Sequence, residues 1–153
     1  MLDVGDKVPS YALPSSNGNP VALTDFKGKK IVLYFYPKDD TPGCTTEACD
    51  FRDNLKTYQD LNVEIIGVSK DAGDSHEKFI AKYQLPFTLL SDEDLKLMLD
   101  FGVWKEKSMY GKTFLGIERS TFLIDESGVI VKAWHNVKAT GHVAKVLEEI
   151  QKL

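Results

Sequence analysis

Hydrophobic positions change their period several times along the 153 residues, and each change marks an element. Ile31-Val-Leu-Tyr-Phe-Tyr36 and Val63-Glu-Ile-Ile-Gly-Val68 are short, nearly unbroken apolar runs rich in β-branched and aromatic residues. That pattern predicts strands covered on both faces. Between them, from about Thr45 to Tyr58, the spacing turns helical, with Ala48, Phe51 and Leu55 on one side. Strand, helix, strand in this order predicts a right-handed βαβ unit with parallel strands. Further helices are predicted over Ser75–Tyr83 and Asp92–Phe101, the second with Ser91 or Asp92 as N-cap and Glu93-Asp94 in its first turn. Ser120–Asp125 and Val129–Trp134 flank Glu126-Ser-Gly128 and predict an antiparallel hairpin, while Val143, Val146, Leu147 and Ile150 give Thr140–Gln151 an amphipathic helical face. Near the N-terminus, Tyr11-Ala-Leu13 and Val21-Ala-Leu23 bracket the turn signal Asn17-Gly18, which predicts a β-hairpin.

This order predicts an α/β chain with a thioredoxin-like fold: a mixed β-sheet flanked by helices, preceded by an N-terminal β-hairpin. No repeat, low-complexity tract or composition break divides it, so residues 1–153 are expected to form a single domain. The 42% apolar and 27% charged content is that of a soluble globular protein. No apolar run approaches the ~20 residues that span a bilayer, and Met1–Asp6 lacks the basic-then-apolar form of a secretory signal. The expectation is a cytoplasmic protein with no membrane partner. A net charge of −4 without a basic stripe argues against a nucleic-acid partner.

The two cysteines, Cys44 and Cys49, both lie in Pro37-Lys-Asp-Asp-Thr-Pro-Gly-Cys-Thr-Thr-Glu-Ala-Cys49, directly after the first strand. In a cytoplasmic chain, cysteines so placed point to redox chemistry more than to a structural staple. Pro42 and Gly43 break any earlier helix, so the chain enters a helix at about Cys44, where free amides and the positive dipole end favour a thiolate. Thr41 is placed to offer its hydroxyl to the sulfur or to a substrate oxygen. Glu47 lies one turn on from Cys44, and a carboxylate there opposes thiolate formation unless a cation intervenes. Only two arginines exist, Arg52 and Arg119. Arg119, at the mouth of the Ser120 strand, is the expected cation, because its fork of donors can hold Glu47, the thiolate and a substrate oxygen together. Arg52 reads as a helix-flank charge.

Cysteines five apart in a helix are separated by about 7.5 Å of rise and about 140° of rotation. Their Cα atoms then lie roughly 8–9 Å apart, beyond the ~7 Å limit for a disulfide. Bonding therefore requires the first turns of the helix to unwind.

Pro37-x-x-x-Thr41-x-x-Cys44 resembles the active-site motif of the peroxiredoxins. Tyr34–Ala48 together with Glu118-Arg-Ser-Thr-Phe-Leu-Ile-Asp125 are similar to the Q-type branch, the bacterioferritin comigratory proteins. The resemblance covers nearly the whole chain. It implies a thiol-dependent peroxidase that reduces hydrogen peroxide and organic hydroperoxides without metal or organic cofactor. Cys44 would be the peroxidatic cysteine and Cys49 the resolving one, forming an intramolecular disulfide that thioredoxin or a similar dithiol reduces. Thr41 and Arg119 would orient and polarise the peroxide, Pro37 would shield the sulfenate from water, and Glu47 would support Arg119. The resemblance, with a resolving partner in the same chain, also implies a monomer.

Two rival readings are a thioredoxin-like dithiol–disulfide exchanger, which lacks the usual Cys-x-x-Cys here, and a non-enzymatic holdase or redox-interaction protein. His76, His135 and His142 share no metal-ligand spacing and read as surface or ordinary structural residues. Asp39 and Asp40 read as solvated turn residues. Val103–Gly111 reads as a loop in which Trp104 and Tyr110 serve packing.

Overall fold

The computed structural model describes Met1–Leu153. Its centre is a five-stranded sheet in the order β5-β4-β3-β8-β9. These strands are β3 (Lys30–Phe35), β4 (Val63–Ser69), β5 (Thr88–Ser91), β8 (Ser120–Ile124) and β9 (Ile130–Trp134). β3 pairs parallel with β4, and β4 with β5. β8 runs antiparallel to both β3 and β9, so the sheet is mixed, as predicted. The predicted N-terminal hairpin is present as β1 (Ala12–Leu13) and β2 (Val21–Ala22). Gly18 takes φ +87° in its turn, a conformation that glycine adopts without steric cost.

Alternation along β3 separates two apolar layers. Ile31, Leu33 and Phe35 pack with the N-terminal segment and α4 (Lys96–Asp100). Val32, Tyr34 and Tyr36 pack on the other face against α1 (Pro42–Asp53), α2 (Leu55–Asp60), α3 (Gly73–Tyr83) and α5 (His142–Gln151). Gly67 on β4 permits this second layer to close. A Cβ there would lie 2.7 Å from Leu89 and 2.8 Å from the Tyr34 ring.

Several elements differ from expectation. The Thr45–Tyr58 helix begins earlier and is two helices, broken at Asn54, whose backbone leaves helical geometry at φ −107°, ψ 7°. The Asp92–Phe101 helix is shortened to Lys96–Asp100, because Leu95 takes φ +63°. Asp92 still serves its start from a distance, accepting the amides of Leu97 and Met98. Val103–Gly111 is not a loop. It forms β6 (Trp104–Met109), paired with β7 (Lys112–Ile117) in a separate hairpin, and Tyr110 at its tip is 96% exposed and packs against nothing.

Candidate active site

The site forms where β3 runs out. The loop from Tyr36 to Thr41 carries the chain into α1, with Thr41 extended and Pro42 in the first turn, where its missing N–H costs nothing. The first helical bond runs from the Thr45 amide to the Thr41 carbonyl, at 2.8 Å. The amides of Gly43 and Cys44 therefore have no carbonyl of the helix to donate to. On the neighbouring strand, Phe35 pairs with Ser120, which brings Arg119 level with the end of β3.

Arg119 reaches across to α1. Its Nη2 donates to Cys44 Sγ at 3.3 Å and its Nη1 donates to Glu47 Oε1 at 2.7 Å. Gly43 makes room for this approach, since a Cβ there would meet Nη2 at 3.1 Å. Cys44 is 1% exposed and Glu47 fully buried, both on the inner side of α1 with Ala48 and Phe51. Burial pushes the Glu47 carboxyl up to about 7, against the pull of the Arg119 charge and hydrogen bond. Burial works against the Arg119 cation as well, but Glu47 and the Cys44 sulfur outweigh it and raise its pKa. One guanidinium thus faces both the sulfur and the carboxylate, the arrangement expected from the sequence.

Thr41 does not cap α1 with its side chain. Its hydroxyl donates to the Lys38 carbonyl at 2.9 Å, which leaves only oxygen lone pairs for another ligand. Pro37 sits half-buried at the start of the same loop. Cys49 is half-buried further along α1, and both thiols are free. Arg52 is more than a flank charge: its Nη1 donates to the Tyr83 carbonyl at 2.7 Å, tying α1 to α3.

Three polar residues lie deep in the fold, and of these Asp39 departs from expectation. Asp39 is 7% exposed rather than solvated, and His76 is wholly buried. The two are joined by a 2.7 Å contact between Asp39 Oδ2 and His76 Nδ1. His142 is also buried, with Nε2 at 2.8 Å from Thr121 Oγ1. Burial, then the charges of Arg119 and Lys145, push its pKa down to about 4. His76 could have been placed from sequence, since it stands three residues before Phe79 on the buried side of α3. Asp39 carried no such signal.

The sequence model of the AhpC/TSA family matches residues 4–133. The chain is 52% identical to peroxiredoxin Bcp of Bacillus subtilis over 150 residues, covering 98% of this chain and 96% of that one. It is 45% identical over 146 residues to peroxiredoxin Bcp of Escherichia coli K12, covering 95% of this chain and 94% of that one. Among solved structures, a cysteine-to-serine mutant of Xylella fastidiosa PrxQ superposes with a TM-score of 0.94 at 40% identity, over 99% of this chain and 97% of that one. The bacterioferritin comigratory protein of Xanthomonas campestris, studied for its alkyl peroxide reduction activity, gives 0.91 at 44% identity over 98% of both chains. With the Arg119-bridged cysteine at the start of α1 and likeness along its whole length, the chain belongs to the AhpC/TSA family, as a peroxiredoxin of the Q, or Bcp, type.

Proposed function

We propose that this peroxidase works through Cys44, and the observation that carries the reading is the Arg119 fork held between Cys44 Sγ and Glu47 Oε1. The Cys44 thiolate attacks one peroxide oxygen and the O–O bond breaks. Sulfur becomes a sulfenic acid, and the leaving oxygen takes a proton and departs as water or alcohol. Arg119 and the free amides at the start of α1 stabilise the oxygen that gains charge. Thr41, whose own proton is committed to Lys38, accepts the hydrogen of the peroxide. Pro37 limits water at the sulfenate, and Glu47 holds Arg119 in register.

Cys49 then attacks the sulfenic sulfur. Hydroxide leaves as water, a disulfide forms, and α1 unwinds to permit it. Thioredoxin or a similar dithiol restores both thiols. The alkyl peroxide activity of the Xanthomonas relative supports organic hydroperoxides beside hydrogen peroxide as substrates. We place the protein in the cytoplasm as a monomer; no helix is long and apolar enough to cross a membrane. The two rival readings leave the Arg119 bridge without a purpose.

Paired variants test the assignment. Cys44→Ser is expected to abolish peroxide turnover. Cys49→Ser should consume one equivalent of peroxide and then stall with thioredoxin and its reductase. Normal cycling by Cys49→Ser would remove Cys49 from the resolving role.

A further inference from the structure

The loop that carries Thr41 is fastened to α3 by side chains at two consecutive positions. The Asp39 carboxylate accepts from the Tyr36 hydroxyl at 2.6 Å, from Ser75 Oγ at 2.8 Å and from His76 Nδ1 at 2.7 Å. His76 Nε2 meets the Leu90 carbonyl at 3.0 Å. His76 thus bridges the loop to β5, with one ring nitrogen against the Asp39 carboxyl and the other against the Leu90 carbonyl. The Asp39 amide donates to Asp71 Oδ2 at 2.8 Å. Asp40, in the left-handed region at φ +57°, accepts from Lys82 Nζ and from the Tyr83 hydroxyl, each at 2.8 Å.

The far side of the cysteine segment is fastened to the same helix. Arg52 donates to the carbonyl of Tyr83, the residue whose hydroxyl already holds Asp40. α3 therefore grips the chain just before Thr41 and again just after Phe51. Cys44 and Cys49 both lie between the grips.

We propose that α3 is a clamp that confines the redox unwinding of α1 to residues 41–51, with Asp39 and His76 as positioning residues for Thr41. The physical need follows from the chemistry proposed above, on which this inference rests. Cys44 must leave its place to reach Cys49, yet Thr41, three residues away, must be in place for the next peroxide. A buried anchor on the loop stops the unwinding short of Pro37–Asp40, so Thr41 returns to one position. Without it, the loop would have to reorder in every cycle, and a displacement near 1 Å in a positioned group can cost on the order of a hundredfold in rate.

The test uses Asp39→Ala, compared with the wild-type protein. Three quantities are read: peroxide oxidation of Cys44 by stopped flow, alkylation of Cys44 by iodoacetamide, and exchange of the Asp39-region amides in reduced and disulfide forms. The clamp predicts that peroxide oxidation falls by about tenfold to a hundredfold while alkylation stays within about twofold, because the thiolate is intact and only peroxide positioning is lost. It also predicts that the Asp39 amide, which donates to Asp71, stays protected in the wild-type disulfide but exchanges freely in the disulfide of the variant. A folded variant with wild-type peroxide reactivity, or an amide at position 39 equally protected in both proteins, overturns the proposal. If Asp39→Ala does not fold, Lys82→Met combined with Tyr83→Phe removes the half-exposed part of the grip and is judged by the same readings. A wild-type Cys44 that fails to react with peroxide would instead overturn the peroxidase assignment itself.

Discussion

Replacing Glu47 by Gln is expected to uncover an acid sensitivity that the wild-type protein conceals. Burial raises the Glu47 carboxyl from 4.5 to about 7, so the folded protein holds that proton more tightly than the unfolded chain. The stabilisation is full below pH 4.5 and is lost as pH rises through 7. His142 shifts the other way, from 6.5 to about 4, so the unfolded chain takes the proton first. Its contribution is full above pH 6.5 and is lost as pH falls through 4. At about 1.4 kcal/mol per pH unit of displacement, Glu47 accounts for about 3 kcal/mol. His142 borders a water-accessible cavity of about 440 Å³, so screening reduces its share to about 2 kcal/mol. Between pH 4.5 and 6.5 the two slopes oppose each other, and together these groups leave the wild-type protein nearly level. Gln at position 47 removes the stabilisation that Glu47 gains on acidification and leaves the His142 slope uncompensated. Relative to wild type, stability should therefore fall by about 2 kcal/mol from pH 6.5 down to 4.5, the share Glu47 itself gains over that range. Urea unfolding of the fully reduced proteins, followed by tryptophan fluorescence across this range, measures it. The difference between the two profiles cancels the other carboxylates. Parallel profiles for wild type and Glu47→Gln would refute the argument.

Arg119→Ala should slow peroxide oxidation of Cys44 by about 10²–10³-fold in stopped flow, the usual cost of losing a donor to developing charge. Arg119→Lys should recover little of it, because a single ammonium cannot reproduce the fork that spans sulfur and carboxylate. Gly67→Ala should destabilise the protein by about 1–3 kcal/mol through overpacking, since the new methyl would meet Leu89 and Tyr34 inside 3 Å. A urea midpoint unchanged from wild type would contradict that.

The elements legible in the sequence were those whose burial imposes a period. β3 and β4 are covered on both faces and read as apolar runs, and α5 buries one stripe. β6 and β7 were missed because their hairpin stands away from the main sheet. Lys105, Glu106, Leu115 and Met109 are all exposed, so neither face shows an apolar alternation. The end of α1 at Asn54 and the late start of α4 depend on backbone angles that residue type does not dictate. In the site, the Cys44–Glu47 spacing demanded a cation and the scarcity of arginine pointed to Arg119, so that contact could be argued in advance. The Asp39–His76 bond could not. It joins residues 37 apart in sequence, and only the packing of α3 over the end of β3 brings them together.

The presence of both thiols on one wound helix bears on the electrochemistry of the pair. In the cycle proposed above the disulfide forms only with α1 unwound, so the free energy of rewinding would be released on reduction. For a two-electron couple about 1.4 kcal/mol corresponds to about 30 mV. Reburying as little as one aromatic ring the size of Phe51, worth about 1.5–3 kcal/mol, then raises the midpoint potential by roughly 30–60 mV. The couple is made more oxidising by its own fold, so a dithiol donor need be only weakly reducing to complete the cycle.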